Sequence, residues 1–286
     1  MKSFFKKLKY NPYEIADALV IDLINFYNLI EFFVAKILGK YSFLKKNLLL
    51  KNTNINKRIF LLGNGPSLND FDLKKLKDEI VIMVNRSFDH PDYEIIKPKY
   101  HIFVDPKLST GEWPLEYLDI VFKKNPNVSL VLNAKWYHLD KFSKFRNKKN
   151  VFWIINNSIS LLINNFNNDL TTIYNSGMSV VEQGLSLGIY SGCKKIYILG
   201  VELNGIAYLM TDKESHFSGK DPDYKSHNGL KYANSMNTSS RSIRIFYKTS
   251  EHCNKKNIKL INLSKKGLLD FIPRNNFEEL FDNKHN

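Results

Sequence analysis

The sequence predicts an α/β protein built on a mostly parallel sheet with helices on both faces. Three observations predict it. Short apolar runs rich in β-branched and aromatic residues recur along the chain, at 58–62, 80–84, 100–104, 128–132, 151–155, 195–199 and 258–263. Stretches of helical periodicity separate several of them, and near-continuous apolar character suits strands covered on both faces. Several runs end on a small polar or glycine-bearing turn, which is where ligands bind in open parallel sheets.

Composition bounds the rest. The chain has 286 residues, 43% hydrophobic and 24% charged, which excludes general disorder. A chain of this size can bury a core without disulfides. Its two cysteines, Cys193 and Cys253, lie in no CxxC or Cys/His spacing, so neither a disulfide scaffold nor a metal site is expected. Lys and Arg number 42 against 28 acids, a formal charge of +14 that favours an anionic partner. No zinc finger, RNP-type sequence or Arg-rich arm is present, so no nucleic-acid partner is expected.

Residues 1–56 read as a basic amphipathic helical segment. Ile15, Leu19, Leu23, Phe26, Ile30, Phe33, Val34 and Ile37 recur at near-helical spacing before Gly39. Residues 1–58 hold eleven bases against four acids. Apolar residues flanked by lysines suit a helix in the interface of an anionic membrane, engaged through residues 1–50. Packing on the body, or on a second subunit of a homo-oligomer, is the alternative. Glu14, Asp17 and Asp22 interrupt the run that a signal peptide would need, and no uncharged stretch reaches the ~20 residues of a membrane span. The expected location is therefore cytoplasmic, peripheral at the inner face of the membrane.

Residues 57–286 carry the sheet. The strand at 58–62 leads into Gly63-Asn64-Gly65-Pro66-Ser67, with a helix-like stretch over 70–78. The next two strands end at Asn85 and Asp105. The Asn-rich stretches at 147–150 and 164–168 read as solvated loops. Asn175-Ser176-Gly177 opens a helix over 179–191, and the strand at 195–199 is followed by Glu202. Residues 203–237 show no clear secondary structure and read as a lid, since unstructured loops longer than about 15 residues are usually lids or binding loops. A helix over about 239–255 precedes the last strand.

The chemistry should sit at these strand ends. Gly63 and Gly65 permit tight backbone approach, so that successive amides can face an anion, while Pro66 stiffens the turn into Ser67. The loop is neither a Walker A sequence nor GxGxxG. Asn64 can donate and accept at once. Ser176 and the Gly177 amide form a second candidate anion site at a helix N-terminus. Glu202 could accept from ribose hydroxyls, and Asn85, Asp105 and Asn175 are candidate contacts of the same kind. Each also has a plain reading as a cap or turn former. In the lid, His216 and His227 are candidate general bases, and Tyr208 is a candidate stabiliser of a departing phosphate. Either histidine could instead be an ordinary surface residue.

From about Arg58 to Leu263 the chain resembles the bacterial lipooligosaccharide sialyltransferases that use CMP-sialic acid, and related polysaccharide-biosynthesis proteins. The resemblance rests on GNGPSL (Gly63 to Leu68), Asn85, Asn175-Ser176-Gly177, Ser186-Leu-Gly188 and Lys195-Ile-Tyr-Ile-Leu-Gly-Val-Glu202. It implies a Rossmann-like domain with a lid that moves a sugar from a CMP-activated donor to a glycan or lipid-linked acceptor, with no cofactor and no metal. Asn64, Gly65, Asn85, Ser176, Gly177 and Glu202 look like its nucleotide contacts, and Tyr208 looks like one of its two phosphate tyrosines. Leu203-Asn204 stand where the other tyrosine would be, Ile173 replaces an arginine, and Asp105 replaces an asparagine. GNGPSL-type sequences also occur in proteins resembling archaeal pterin diphosphokinases, which transfer pyrophosphate from ATP. In that alternative Asp105 and Glu202 would hold metal. A non-catalytic envelope-assembly protein on the same fold is the other alternative.

Overall fold

The computed structural model describes residues 12–162, 166–177, 179–209, 214–219 and 228–282. Seven strands form one parallel sheet: β1 (Arg58–Leu62), β2 (Ile80–Val84), β3 (Tyr100–Phe103), β4 (Ser129–Asn133), β5 (Val151–Ile154), β8 (Lys195–Leu199) and β9 (Lys259–Asn262). Their spatial order is β5-β4-β3-β2-β1-β8-β9. The chain winds outward from β1 to β5, returns, and places β8 on the other side of β1. The topological switch therefore falls between β1 and β8, which pair from Arg58↔Lys195 to Leu62↔Leu199. Two short strands, β6 (Asn156–Ser158) and β7 (Tyr174–Ser176), pair in parallel as a second small sheet.

Side-chain alternation sends each strand's residues to two cores. Phe60, Leu62, Val81, Met83, Tyr197 and Leu199 join one. Ile59, Leu61, Ile82, Val84, Ile196 and Ile198 join the other. The helices are α1 (Pro12–Ile37), α2 (Tyr93–Ile96), α3 (Lys107–Thr110), α4 (Glu116–Lys124), α5 (Ser143–Arg146), α6 (Val180–Tyr190), α7 (Gly205–Leu209), α8 (Gly229–Lys255) and α9 (Glu279–Asp282). Val121 and Phe145 cover the first face, and Leu185, Leu187 and Phe246 cover the second.

The α/β architecture and the seven strands of the main sheet follow the sequence reading to within a residue or two at each end, while β6 and β7 were not expected from it. Two of the expected helices differ. The helix expected over 70–78 is a pair of 3-10 turns, Pro66–Asp70 and Leu73–Leu76. Asn69, Asp70 and Asp72 favour turns over helix interiors, and the Asp72 side chain accepts from the Lys74 amide. The helix expected near 239 begins at Gly229, where the Asn228 side chain accepts from the Lys231 amide. Its first three turns hold Asn, Ser and Thr and are largely exposed, so neither propensity nor apolar period announced them. The stretch expected as a lid over 203–237 thus contains α7 and the start of α8. His227 lies outside the described residues.

Helix α1 lies where the sequence reading expected an N-terminal helix. Its 26 residues include an 18-residue stretch long and apolar enough to cross a membrane by length and composition, once its few charges are tolerated.

Candidate functional site

The site is built at the switch point. Gly184 and Gly188 of α6 fix the direction of that helix over the sheet. A Cβ on Gly184 would lie 2.6 Å from Leu61, and one on Gly188 3.2 Å from Ile196 and 3.9 Å from Ile59. One turn forward along α6 is thus two residues backward along β1. The helix runs antiparallel to the strands, and its N-terminus stands over the carboxyl ends of β1 and β2. Those ends are Gly63-Asn64 and Asn85. Ser176 and Gly177 lead into the same N-terminus, and Glu202 follows β8 at the same edge.

The GNGPS loop is held by β8 rather than open to a ligand. Gly63 N–H donates to Leu199 O (2.8 Å), and Gly65 N–H donates to Gly200 O (2.9 Å). A Cβ at Gly63 would lie 2.9 Å from the Val201 side chain, and one at Gly65 would overlap the Glu202 carboxylate. Ser67 N–H donates to Glu202 Oε1 (3.2 Å), as does the Ser67 hydroxyl. The expectation that these amides cradle a phosphate is therefore corrected. The amides of Gly63, Gly65 and Ser67 are engaged within the protein, because the β1–β8 ladder continues into the turn. The glycines serve close approach of two loops. Glu202 is a clamp on that turn.

Among the described residues, three polar atoms at this edge are buried without a hydrogen-bond partner: Asn64 Oδ1, Asn85 Oδ1 and Glu182 Oε1. Such groups are costly unless something satisfies them. Asn85 is further marked by its backbone, at φ 46°, a left-handed conformation uncommon outside glycine. Its carbonyl lies 2.8 Å from His101 Nε2, and His101 Nδ1 lies 3.0 Å from the Tyr93 hydroxyl. A carbonyl can only accept, so Nε2 carries the proton and Nδ1 accepts from Tyr93. Burial favours that neutral ring and pushes the His101 pKa down to about 4, although the bond to Asn85 opposes the shift. A buried Tyr–His pair thus holds Asn85 in its strained turn.

Glu182 is the residue that the sequence reading missed. It caps α6 reciprocally with Ser179, accepting from the Ser179 amide through Oε2 (2.8 Å) while the Ser179 hydroxyl accepts from the Glu182 amide (3.3 Å). Burial raises its carboxyl to about 7, against the lowering effect of the Ser179 bonds. The S-x-x-E spacing signalled the cap, but not the burial of the second oxygen. Ser176 is buried, and Ser186 Oγ–H donates to its hydroxyl (3.1 Å).

Other expected contacts have local partners. The Lys107 amide donates to Asp105 Oδ1 (3.0 Å), and the Asn167 amide donates to Asn175 Oδ1 (2.9 Å). Pro66 is the first residue of its 3-10 turn. β3 and β8 are three strand spacings apart, roughly 14 Å. Asp105 and Glu202 each already accept from their surroundings, so they do not fit as one metal-holding pair. Tyr208, on α7, has its hydroxyl 3.4 Å from Asn204 Nδ2.

The segment that holds His216 returns to the GNGPS loop. The Phe217 amide donates to Asn64 O (3.0 Å), Asn69 Nδ2 donates to Phe217 O (3.0 Å), and the Phe217 ring lies against His90. Residues 214–219 therefore dock on the GNGPS loop, with His216 one residue from the anchoring bond. The His216 Nδ1 and Ser215 Oγ lie 3.1 Å apart.

Among solved structures, the chain is similar to the sialyltransferase CstII from Campylobacter jejuni in complex with the substrate analogue cytidine-5'-monophosphate. Identity is 18%, the TM-score is 0.44, and the match covers 77% of this chain and 85% of that one. The sialyltransferase CST-II in complex with a trisaccharide acceptor and CMP is similar at 19% identity and TM-score 0.43, over 76% and 85%. No curated protein matches. Residues 35–206 match the family described as 6-hydroxymethylpterin diphosphokinase MptE-like. That span runs from the end of α1 through β8 into α7 and takes in Asn64, Asn85, Glu182 and Glu202; on that match, over more than half of its length, the chain belongs to the MptE-like family.

Proposed function

We propose that the crevice binds a CMP-activated sugar and that the protein is a sialyltransferase-like glycosyltransferase, acting on a glycan or lipid-linked acceptor in cell-surface polysaccharide biosynthesis. The observation that carries this reading is a trio of buried polar atoms, Asn64 Oδ1, Asn85 Oδ1 and Glu182 Oε1, at the switch point of a parallel sheet, with no partner among the described residues. The two amide oxygens would accept from the exocyclic amine of the base or from ribose hydroxyls. The α6 N-terminus and the Ser176 hydroxyl would take the phosphate.

In the transfer, the acceptor hydroxyl gives its proton to a lid base, His216 in preference to His227. The acceptor oxygen bonds to the anomeric carbon. The bond from that carbon to the phosphate oxygen breaks, and its electron pair leaves with CMP. Tyr208 donates to the departing phosphate. A protonated Glu182 near neutral pH would present a donor instead of a second negative charge. The reading expects no metal and no cofactor.

His216→Ala tests the base. Turnover should fall roughly 10²- to 10⁴-fold with donor affinity retained. Near-normal turnover would remove His216 from the mechanism. A second reading, pyrophosphate transfer from ATP, is favoured by the family match over residues 35–206. Screening CMP, UDP, GDP, ADP and ATP for binding, with and without Mg²⁺, separates the two. Binding of CMP without Mg²⁺ supports the first, and Mg²⁺-dependent binding of ATP alone supports the second.

A further inference from the structure

Helix α1 is packed the wrong way round for a helix on a water-soluble surface. Its polar side faces the protein. Asn25 Nδ2 donates to Ser158 O (2.8 Å), and the Ser158 amide donates back to Asn25 Oδ1 (3.1 Å). Asn28 Nδ2 donates to Asn157 Oδ1, and the Ser160 hydroxyl donates to Asp22 Oδ2. Arg241 of α8 donates to both oxygens of Asp17 at 2.7 Å, and Arg244 pairs with Glu14. Only Ala18, Ile21 and Phe32 of this helix are buried apolar residues.

The opposite side is apolar and open. Leu19, Leu23, Phe26, Tyr27, Ile30 and Phe33 are all about half exposed or more, and Ile37 and Leu38 extend the face to the helix end. Lys36, Lys40, Lys45 and Lys51 are exposed beyond it. An apolar face followed by exposed lysines complements an anionic bilayer, whose acyl layer takes the apolar side chains and whose headgroups take the charges. The ladder from Glu14 to Asn28 covers about 21 Å of helix. Crossing the membrane would strip those polar groups of partners or carry them into hydrocarbon, so the helix lies in the membrane plane.

We infer that α1 is an in-plane membrane anchor, inserted apolar face outward into an anionic bilayer and bolted to the protein by its polar face. The anchor holds the crevice close to the lipid. Asn25 bonds to Ser158, and Ser158 pairs with Ser176 across β6 and β7. One strand spacing, about 5 Å, therefore separates the strand on which α1 sits from the strand that enters the site. The inference goes beyond the transfer reading and does not depend on the donor.

The test uses the full chain and vesicles of phosphatidylcholine with or without phosphatidylglycerol. Wild type should sediment with the anionic vesicles. The triple variant Leu23→Glu/Phe26→Glu/Ile30→Glu should bind at least tenfold more weakly with an unchanged circular dichroism spectrum. Lys36→Glu/Lys40→Glu/Lys45→Glu should lose the preference for the anionic vesicles. If the triple variant fails to fold, Tyr27→Cys labelled with an environment-sensitive dye answers the question, because the native Cys193 and Cys253 are buried. Its emission should shift blue on anionic vesicles and be quenched by acyl-chain bromines. Wild type that ignores anionic vesicles, an unquenched label, or a lipid-free dimer that the triple variant dissociates would overturn the inference, the last by making a second copy the occupant.

Discussion

The sheet and helix α1 solve opposite solvation problems with similar residues. In the sheet, Phe60, Leu61 and Leu62 are wholly buried, and polar residues collect at the carboxyl edge. In α1, Phe26, Ile30 and Phe33 face outward while Asp17, Asp22 and Asn25 bond to the body. The contrast teaches that an apolar period says only that a face avoids water. It does not say whether protein or lipid covers it.

Paired truncations should break or sustain that contrast most sharply. Phe60→Ala should cost about 3–5 kcal/mol in urea unfolding, as cavities in a packed core do. Phe26→Ala, measured without lipid, should stay within about 0.5 kcal/mol. Equal losses would mean that the outward face of α1 is covered in solution.

Buried titration is the second contrast, since the sheet region holds fully enclosed ionisable groups and the α1 acids do not. Glu182, raised to about 7, contributes stability that is present at low pH and lost as pH rises through 7. Wild type should lose roughly 2–3 kcal/mol between pH 5 and 9 relative to Glu182→Gln. His101 works with the other sign. Its pKa is depressed to about 4, so the unfolded chain takes the proton first and stability falls as pH drops from 6.5 towards 4. In the Glu182→Gln background, the loss between pH 6.5 and 4.5 should be about 2 kcal/mol larger than in a chain that also carries His101→Gln, since His90 and His252, likewise pushed down by burial, titrate in both. An equal loss in the two would show that His101 is reached by water.

Smaller effects refine the comparison. Gly65→Ala forces a methyl group against the Glu202 carboxylate and should cost about 1–3 kcal/mol together with nucleotide affinity. Unchanged affinity would separate the GNGPS loop from the site. At the α1 ladder, Arg241→Ala should cost less than about 1 kcal/mol in solution, because Asp17 is half exposed. Loss of vesicle binding in that variant, without loss of stability, would show that the ladder orients the anchor.

Much of this molecule was legible in its residues. The seven strands of the main sheet read correctly because both faces are buried, which writes an apolar run into each; the short polar strands β6 and β7 carry no such run. The strand-end residues Asn64, Asn85 and Glu202 were legible as site candidates, because parallel topology brings all such ends to one edge. The start of α8 was not, since exposed Asn, Ser and Thr carry no period. Nor was Glu182, whose S-x-x-E spacing is the same for any capped helix. The GNGPS amides read as free because a turn's glycines look alike whether they meet a ligand or another strand.

By itself, then, the sequence determined the α/β class, the order of strands along the chain and an apolar N-terminal helix, all properties of local pattern. Only the tertiary structure decided that β8 returns beside β1 and occupies the loop amides, and that α6 brings Glu182 to the same edge. It alone decided that α1 turns its polar face inward. Each of these depends on which segments meet across long stretches of chain, and hydrogen-bond partners at that distance leave no local period to read.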